Sequence, residues 1–171
     1  MKVLSGAHAP DSGTIRCGGW PYRVRSPFEA RERGVAMIYQ ELTLAPHLTV
    51  TQNLTLGMER HRFGFAFDDR ARMREKLGLL GHSDLDLDQP VGELSIGLQQ
   101  VVEIARALLS DAKLVIMDEP TSSLSVSDAK ALFRVVRALA DSDIAVIYIS
   151  HFLDEAATVA DRYCVLRDGQ I

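Results

Sequence analysis

Two adjacent acidic residues, Asp118 and Glu119, directly follow a short apolar run, Leu114 to Met117. An apolar run without alternation is typical of a strand covered on both faces, as in a parallel α/β sheet. Such sheets bind ligands beyond the carboxyl ends of their strands. There Asp118 is suited to hold Mg²⁺, directly or through water, and Glu119 to orient or deprotonate an attacking water. A loop cap and a solvated surface acid would explain the same two residues.

A predicted helix start upstream of these acids is suited to bind an anion. Ser95 is a favoured N-cap residue, and Gly97 has no side chain to keep a phosphate away from the backbone. The free amides and the positive end of the helix dipole would face that anion. Taken by itself, the pattern is better explained as an ordinary capped core helix, because an apolar face follows, made of Val101, Val102, Ile104, Ala105, Leu108 and Leu109.

Two further polar residues follow predicted buried strands. Gln40 comes directly after Val35 to Tyr39, and His151 comes shortly after Ile144 to Ile149. Taken singly, Gln40 is equally well explained as a solvated amide at a strand end. A lone histidine after a strand is more often structural than functional.

In this order, the motifs resemble those of the ATP-binding subunits of ABC transporters. Leu94 to Gln100 (LSIGLQQ) resembles the family signature, and Leu114 to Pro120 (LVIMDEP) resembles its Walker B strand. Ser122 to Ser125 resembles the D-loop, Gln40 the Q-loop glutamine and His151 the switch histidine. The sequence is most similar to the first ATPase half of the double-cassette importers of ribose- and galactose-type sugars. The resemblance covers essentially the whole chain.

The resemblance implies a set of site residues for ATP and Mg²⁺. Glu119 would be the catalytic carboxylate, and His151 would sense the γ-phosphate. Asp118 and Gln40 would hold the metal, with Gln40 also contacting the attacking water and linking the core to a helical lobe. Nucleotide contacts are implied for Gln40 and, toward the ATP of a partner domain, for Ser95 and Gly97.

The resemblance also implies fold, partners and location. The expected fold is α/β, part of a RecA-like P-loop NTPase parallel sheet, with an ATPase core at 1–44 and 109–171 and a helical signature subdomain at 45–108. The expected partners are a second ABC ATPase domain, membrane permease subunits and, indirectly, a periplasmic sugar-binding protein. Glu41 to Leu54 is the candidate permease contact. The implied location is peripheral, on the cytoplasmic face of the bacterial inner membrane.

The phosphate-binding loop of this family, G-x-x-x-x-G-K-[S/T], is not found in the sequence, because no glycine is followed by lysine. That loop supplies backbone amides, a lysine and a hydroxyl to the triphosphate and its metal. We therefore expect a chain truncated before the end of the Walker A helix and inactive alone. The alternative is a non-catalytic remnant or a regulatory partner of intact ABC ATPase subunits. Leu98, where the signature normally has glutamine, puts the fine geometry of that contact in doubt.

The composition limits the other classes of function. A chain of 171 residues with 47% hydrophobic content can form one core, with or without an added lobe. A net charge of −4 argues against a broad nucleic-acid footprint, so no nucleic-acid partner is expected. DNA-repair and chromosome-organising ATPases share the signature but carry long coiled-coil insertions, for which the gap between Gln40 and Ser95 is too short. Cys17 and Cys164 form no C-x-x-C pair and are expected to be reduced packing residues.

Local signals predict several connecting elements. Ser26 and Thr49 each begin a capping-box pattern, and Asp68 is expected to cap a helix from Asp69 to Leu80. Ser125 or Ser127 should cap a helix that runs to about Ala140. The remaining expectations are a last strand at Arg162 to Leu166 and, at Arg60 to Phe67, either a loop with packed phenylalanines or a basic nucleic-acid patch.

Overall fold

The computed structural model describes residues 1–57 and 69–171, together with the backbone of 61–62 and 65–66. The strands are β1 (Arg16–Cys17), β2 (Trp20–Pro21), β3 (Val35–Ile38), β4 (His61–Arg62), β5 (Phe65–Ala66), β6 (Leu114–Asp118) and β7 (Ala145–Ile149). The helices are α1 (Pro27–Glu32), α2 (Val50–Thr55), α3 (Arg70–Leu79), α4 (Ile96–Leu109), α5 (Val126–Asp141) and α6 (Leu153–Val159), with a 3₁₀ turn at Val91–Glu93.

A parallel three-stranded sheet forms the centre of the described part of the chain, in the order β3-β6-β7. The middle strand, β6, is the apolar run that the sequence predicts as a strand, and its Val115, Ile116 and Met117 are fully buried. The helices in the long connections between β3, β6 and β7 pack on one face of this sheet. The other face, with Val35 and Ile116, packs against Ala30 of α1 and the segment before it, so the sheet is covered on both faces. The predicted α/β class with a parallel sheet is confirmed.

The first two helices begin where the capping patterns predict. At α1 the Ser26 hydroxyl accepts from the Glu29 amide, while the Glu29 carboxylate accepts from Arg25, one residue earlier than a capping box requires. At α2 both bonds of the box are present: Thr49 Oγ1 accepts from the Gln52 amide, and Gln52 Oε1 accepts from the Thr49 amide. Each cap satisfies amides that a helix start leaves free.

For α3 the structure moves the predicted helix start, and for α5 it selects one of two predicted N-caps. The cap of α3 is Asp69, whose side chain accepts from Arg72, so the helix starts one residue later than predicted. The predicted cap, Asp68, lies outside the described residues. Within the predicted loop at 60–67 the described backbone forms two short paired strands, β4 and β5. At α5 the structure selects Ser125 over Ser127 as the N-cap.

The helices between the sheet strands share one core with the sheet. Asn53 of α2 is completely buried, and its side chain bonds the backbone of the preceding turn: Oδ1 accepts from Ala45, and Nδ2 donates to Ala45, Leu48 and Thr49 carbonyls. The same hydrophobic cluster contains residues of β3, α2, α3, α4, β6 and α5. The division into a core at 1–44 and 109–171 and a helical subdomain at 45–108 stays a prediction.

Two strand predictions are wrong in detail. Arg162 to Leu166 is not a strand: Tyr163, Val165 and Leu166 are exposed, and only the following turn forms, with Arg167 and Gln170 exchanging backbone bonds. A strand needs a neighbour for its amides and carbonyls, and among the described residues this segment has none. Tyr39 lies just beyond β3 and is exposed.

We predict that the fold depends on β6 packing far more than on the C-terminal segment. Ile116→Ala, at a side chain that is 0% exposed, should lower the free energy of unfolding by about 2–5 kcal/mol. Leu166→Ala removes a similar volume from a side chain that is 68% exposed and should change it by less than about 0.5 kcal/mol. Urea unfolding followed by circular dichroism measures both, and equal losses would contradict the assignment of the core.

Candidate active site

The carboxyl ends of β6 and β7 place the two acids beside the histidine segment. Asp118 pairs in register with Ile149, and the pairing continues one residue further because the Glu119 amide donates to the Ile149 carbonyl at 3.0 Å. Glu119 has a φ of 45°, in the left-handed region that non-glycine residues seldom adopt. Such a conformation persists where neighbouring contacts over-determine it, and it turns the chain sharply after the strand.

Glu119 and His151 are brought into direct contact. His151 Nδ1 lies 3.2 Å from Glu119 Oε1, and both side chains remain partly open to solvent. The Phe152 ring packs against the imidazole with a centroid separation of 4.0 Å. The imidazole faces the carboxylate through Nδ1, and its other ring nitrogen, Nε2, can form a hydrogen bond with a ligand. This pair can therefore place a water or an anionic ligand beside a carboxylate and an imidazole.

Gln40 and Asp118 lie on the same edge of the sheet, but the structure shows no bond between their side chains. The register of β3 against β6 pairs Ile38 with Met117, which places Gln40 two residues beyond the end of β3 and Asp118 at the last position of β6. Asp118 is half-buried and Gln40 is exposed. A carboxylate and an amide oxygen are donors that Mg²⁺ accepts, together with water and phosphate oxygens. Among the described residues no group of three acids, histidines or cysteines forms an all-protein metal cage.

Ser95 and Gly97 lie at the start of α4. Ser95 contacts the first turn of this helix, and Gly97 contacts α5. Ser95 is the N-cap, with Oγ accepting from the Leu98 amide at 3.4 Å. A Cβ on Gly97 would stand 3.0 Å from Asp128 Oδ1, so the Asp128 side chain covers this glycine. The predicted helix start is confirmed, and its role toward nucleotide stays a prediction.

A buried polar cluster joins the segment after Gln40 to α4, and sequence reasoning missed it. Glu103 is 3% exposed, and its Oε1 accepts from the Thr43 amide, the Thr43 hydroxyl and Arg106 Nη2. Arg106 also donates to Thr43 Oγ1. Burial lowers the pKa of the Arg106 guanidinium, while the neighbouring Glu103 carboxylate acts to raise it. The one available signal was a Glu and an Arg at i and i+3 on an otherwise apolar helix face.

The starts of α4, α5 and α6 expose large apolar side chains. Val126 is 76% exposed and Leu153 is 74% exposed, and Ile96 and Phe152 are also exposed. Phe152 and Leu153 directly follow His151, and Ile96 lies between Ser95 and Gly97.

Comparison with known proteins identifies the family. Residues 1–122 match the family model described as ABC transporter, which is more than half of the chain. This chain belongs to the ABC transporter family. Membership implies nucleotide binding, generally with Mg²⁺, and confirms the resemblance based on the motifs.

Individual relatives of this ABC-family chain agree. Ribose import ATP-binding protein RbsA 3 of Rubrobacter xylanophilus is 47% identical over 173 residues, covering 100% of this chain and 35% of that protein. Ribose import ATP-binding protein RbsA 2 of the same organism is 46% identical over 175 residues, covering 100% of this chain and 34% of that protein. The chain thus spans about a third of the length of the curated relatives it matches.

A solved structure confirms the fold. The crystal structure of a nucleotide-free ATP-binding cassette from an ABC transporter superposes with a TM-score of 0.79 at 25% identity, covering 94% of this chain and 68% of that one.

We predict that the Thr43–Glu103–Arg106 cluster stabilises the fold. Arg106→Ala leaves the Glu103 carboxylate buried without its cation and should lower the free energy of unfolding by about 3 kcal/mol. Arg33→Ala is the matched control, because Arg33 bonds Glu29 in an exposed helical pair and its loss should cost less than about 1 kcal/mol. Denaturant unfolding measures both variants. A loss no larger for Arg106 than for Arg33 would show that the cluster contributes little.

Proposed function

We propose that this chain is part of the ATP-binding, ATP-hydrolysing subunit of a sugar importer. The observation that carries the proposal is the 3.2 Å contact of His151 with Glu119 beyond adjacent parallel strands. The import ATP-binding proteins that align over the whole chain support the assignment to a sugar importer.

We assign roles to the residues at the sheet edge. Glu119 orients and deprotonates the attacking water, and His151 contacts the γ-phosphate while its Nδ1 faces Glu119. Asp118 and Gln40 hold Mg²⁺, and Gln40 also contacts the nucleotide site. When bound, Mg²⁺ would neutralise charge that develops on the phosphate oxygens. The Thr43–Glu103–Arg106 cluster begins three residues after Gln40 and would transmit its movement to α4.

The start of α4 supports a role toward a second ATPase domain. Ser95 is exposed at a helix N-terminus, where amides and the helix dipole favour an anion. The exposed apolar side chains of the first turns of α4, α5 and α6 supply the surface that such a partner would cover. In this proposal Ser95 and Gly97 contact the ATP that the partner holds.

The membrane partners are proposed from the family and from α2. None of the helices in the described ranges is long and apolar enough to cross a membrane. We place the protein peripherally on the cytoplasmic face of the inner membrane, held by permease subunits that receive sugar from a periplasmic binding protein. Glu41 to Leu54 is the proposed contact, since α2 and its buried Asn53 fix the backbone of that segment. A helical subdomain at 45–108 would carry it.

A second candidate function is a non-catalytic partner of intact ABC ATPase subunits. The 171 residues by themselves contain no Gly-Lys pair that could hold a triphosphate. Removing one well-aimed donor from a developing charge typically costs about 10²–10³ in rate, and the missing loop supplies several donors and a cation. Both candidate functions use the start of α4, where Ser95 and Gly97 lie. They differ in whether Asp118 and Glu119 at the sheet edge take part in ATP hydrolysis.

We predict that the 171-residue chain alone does not hydrolyse ATP. Phosphate release in the presence of ATP and Mg²⁺ should be the same for the chain and for its Glu119→Gln variant, because no lysine-bearing loop holds the triphosphate. Turnover above that control would contradict the expected dependence on a loop from other residues.

We also predict ATP-dependent association with an intact subunit. The probe is a ribose-type import ATPase whose own catalytic glutamate has been changed to glutamine, mixed with this chain and followed by sedimentation. Ser95→Ala should weaken the association roughly tenfold, since it removes a hydrogen bond to a charged phosphate. Thr49→Ala is the control, because it removes an equivalent N-cap hydroxyl from α2. Association without ATP, or equal losses in both variants, would contradict a contact between Ser95 and the ATP of the partner.

A further inference from the structure

One carboxylate, that of Glu155 on α6, bonds three hydroxyl groups from separate segments. Its Oε1 accepts from Thr121 Oγ1 at 2.7 Å. Its Oε2 accepts from Ser150 Oγ at 2.6 Å and from the Tyr148 hydroxyl at 3.0 Å. Two of these donors lie in the loops after β6 and β7, and the third lies in β7 itself. Glu155 therefore ties both loops to α6.

These donors lie next to the two residues that form the contact at the sheet edge. Thr121 is two residues after Glu119, and Ser150 directly precedes His151. The Ser150 hydroxyl also accepts from the Phe152 amide at 3.0 Å. The residue before His151 is thereby bonded to the residue after it. Hydrogen bonds to a carboxylate are stronger than those between two neutral groups. Glu155 therefore fixes both loops more firmly than a neutral side chain would.

The surroundings keep the hydroxyl of Tyr148 protonated. Burial raises the pKa of the Tyr148 hydroxyl, and the adjacent Glu155 carboxylate raises it further, while the bond with Thr121 acts to lower it. Tyr148 therefore remains a protonated donor to Glu155 at neutral pH. Phe133 packs edge-on against the Tyr148 ring at a centroid separation of 6.3 Å, which limits its movement.

We propose that Glu155 is the positioning residue that holds Glu119 and His151 in contact. It touches neither side chain and acts through Thr121 on one loop and through Ser150 on the other. Glu119 has a left-handed backbone, which needs support on both sides of the residue. The Ile149 carbonyl supports it from β7, and Glu155 supports the turn that follows. The catalytic meaning of this position rests on the proposed function, whereas the geometric claim does not.

The test follows the isolated chain by NMR, without nucleotide. Glu155→Ala should accelerate amide hydrogen exchange at Ser122, which donates to the Glu119 carbonyl, and at Phe152 by roughly tenfold. It should also shift the imidazole signals of His151. Glu155→Gln retains an acceptor and should have an intermediate effect. Asp154→Asn is the matched control, since this neighbouring acid contributes no side-chain bond to the network and should change neither reading.

Either of two results would overturn the proposal. In one, Glu155→Ala leaves the Ser122 and Phe152 amides and the His151 signals as in the unchanged chain. In the other, both Glu155 variants accelerate exchange equally throughout β6, which would make Glu155 a stabiliser of the whole fold. Because no ATP is present, these outcomes are independent of the association experiment. Failure of the proposed function would therefore leave the local acceleration in place.

Discussion

Parallel pairing of β6 with β7 sets the distance between Glu119 and His151 at the candidate site. The ladder aligns Leu114 to Asp118 with Ala145 to Ile149, and the Glu119 amide extends it by one further bond. Side chains alternate between the two faces of a strand, so a slip of one residue would carry Asp118 to the opposite face. The contact between Glu119 and His151 thus depends on backbone register before it depends on either side chain.

The loops that leave this sheet are held by buried or half-buried carboxylates. Glu103 bonds the segment after β3, and Glu155 bonds the segments after β6 and β7. Both acids lie on helices that follow the loop or pack against it, so the helices control the positions of loop residues. In an ATPase of this family, movement of α4 relative to the sheet would be felt first at Thr43 and then at Gln40.

The apolar runs and the helix caps were predictable, because both are local. β6 is a continuous apolar stretch, and Thr49 forms its box with a residue three positions away. The carboxylate clusters were not predictable, since the Glu103 bond to Thr43 spans 60 positions and nothing local marks it. An acid in the first turn of a helix is expected from the helix dipole alone. Nothing local therefore marked the bonds of Glu155 to the two loops. The strand predicted at Arg162 to Leu166 was wrong because the strand propensity of a segment does not provide a neighbouring strand with which it can pair.

The close approach of Gly97 to Asp128 also limits how this sequence can change over evolutionary time. Asp128 is itself fixed by the Ser125 hydroxyl at 2.6 Å, so a side chain at position 97 would disturb the junction of two helices. Ser95 is exposed but also has a structural role, since its hydroxyl caps α4 through the Leu98 amide. In copies of the gene released from selection for nucleotide use, both positions should therefore still be retained for folding, the glycine for the helix junction and the serine for the cap. Retention of these two residues alone would not record selection for nucleotide use.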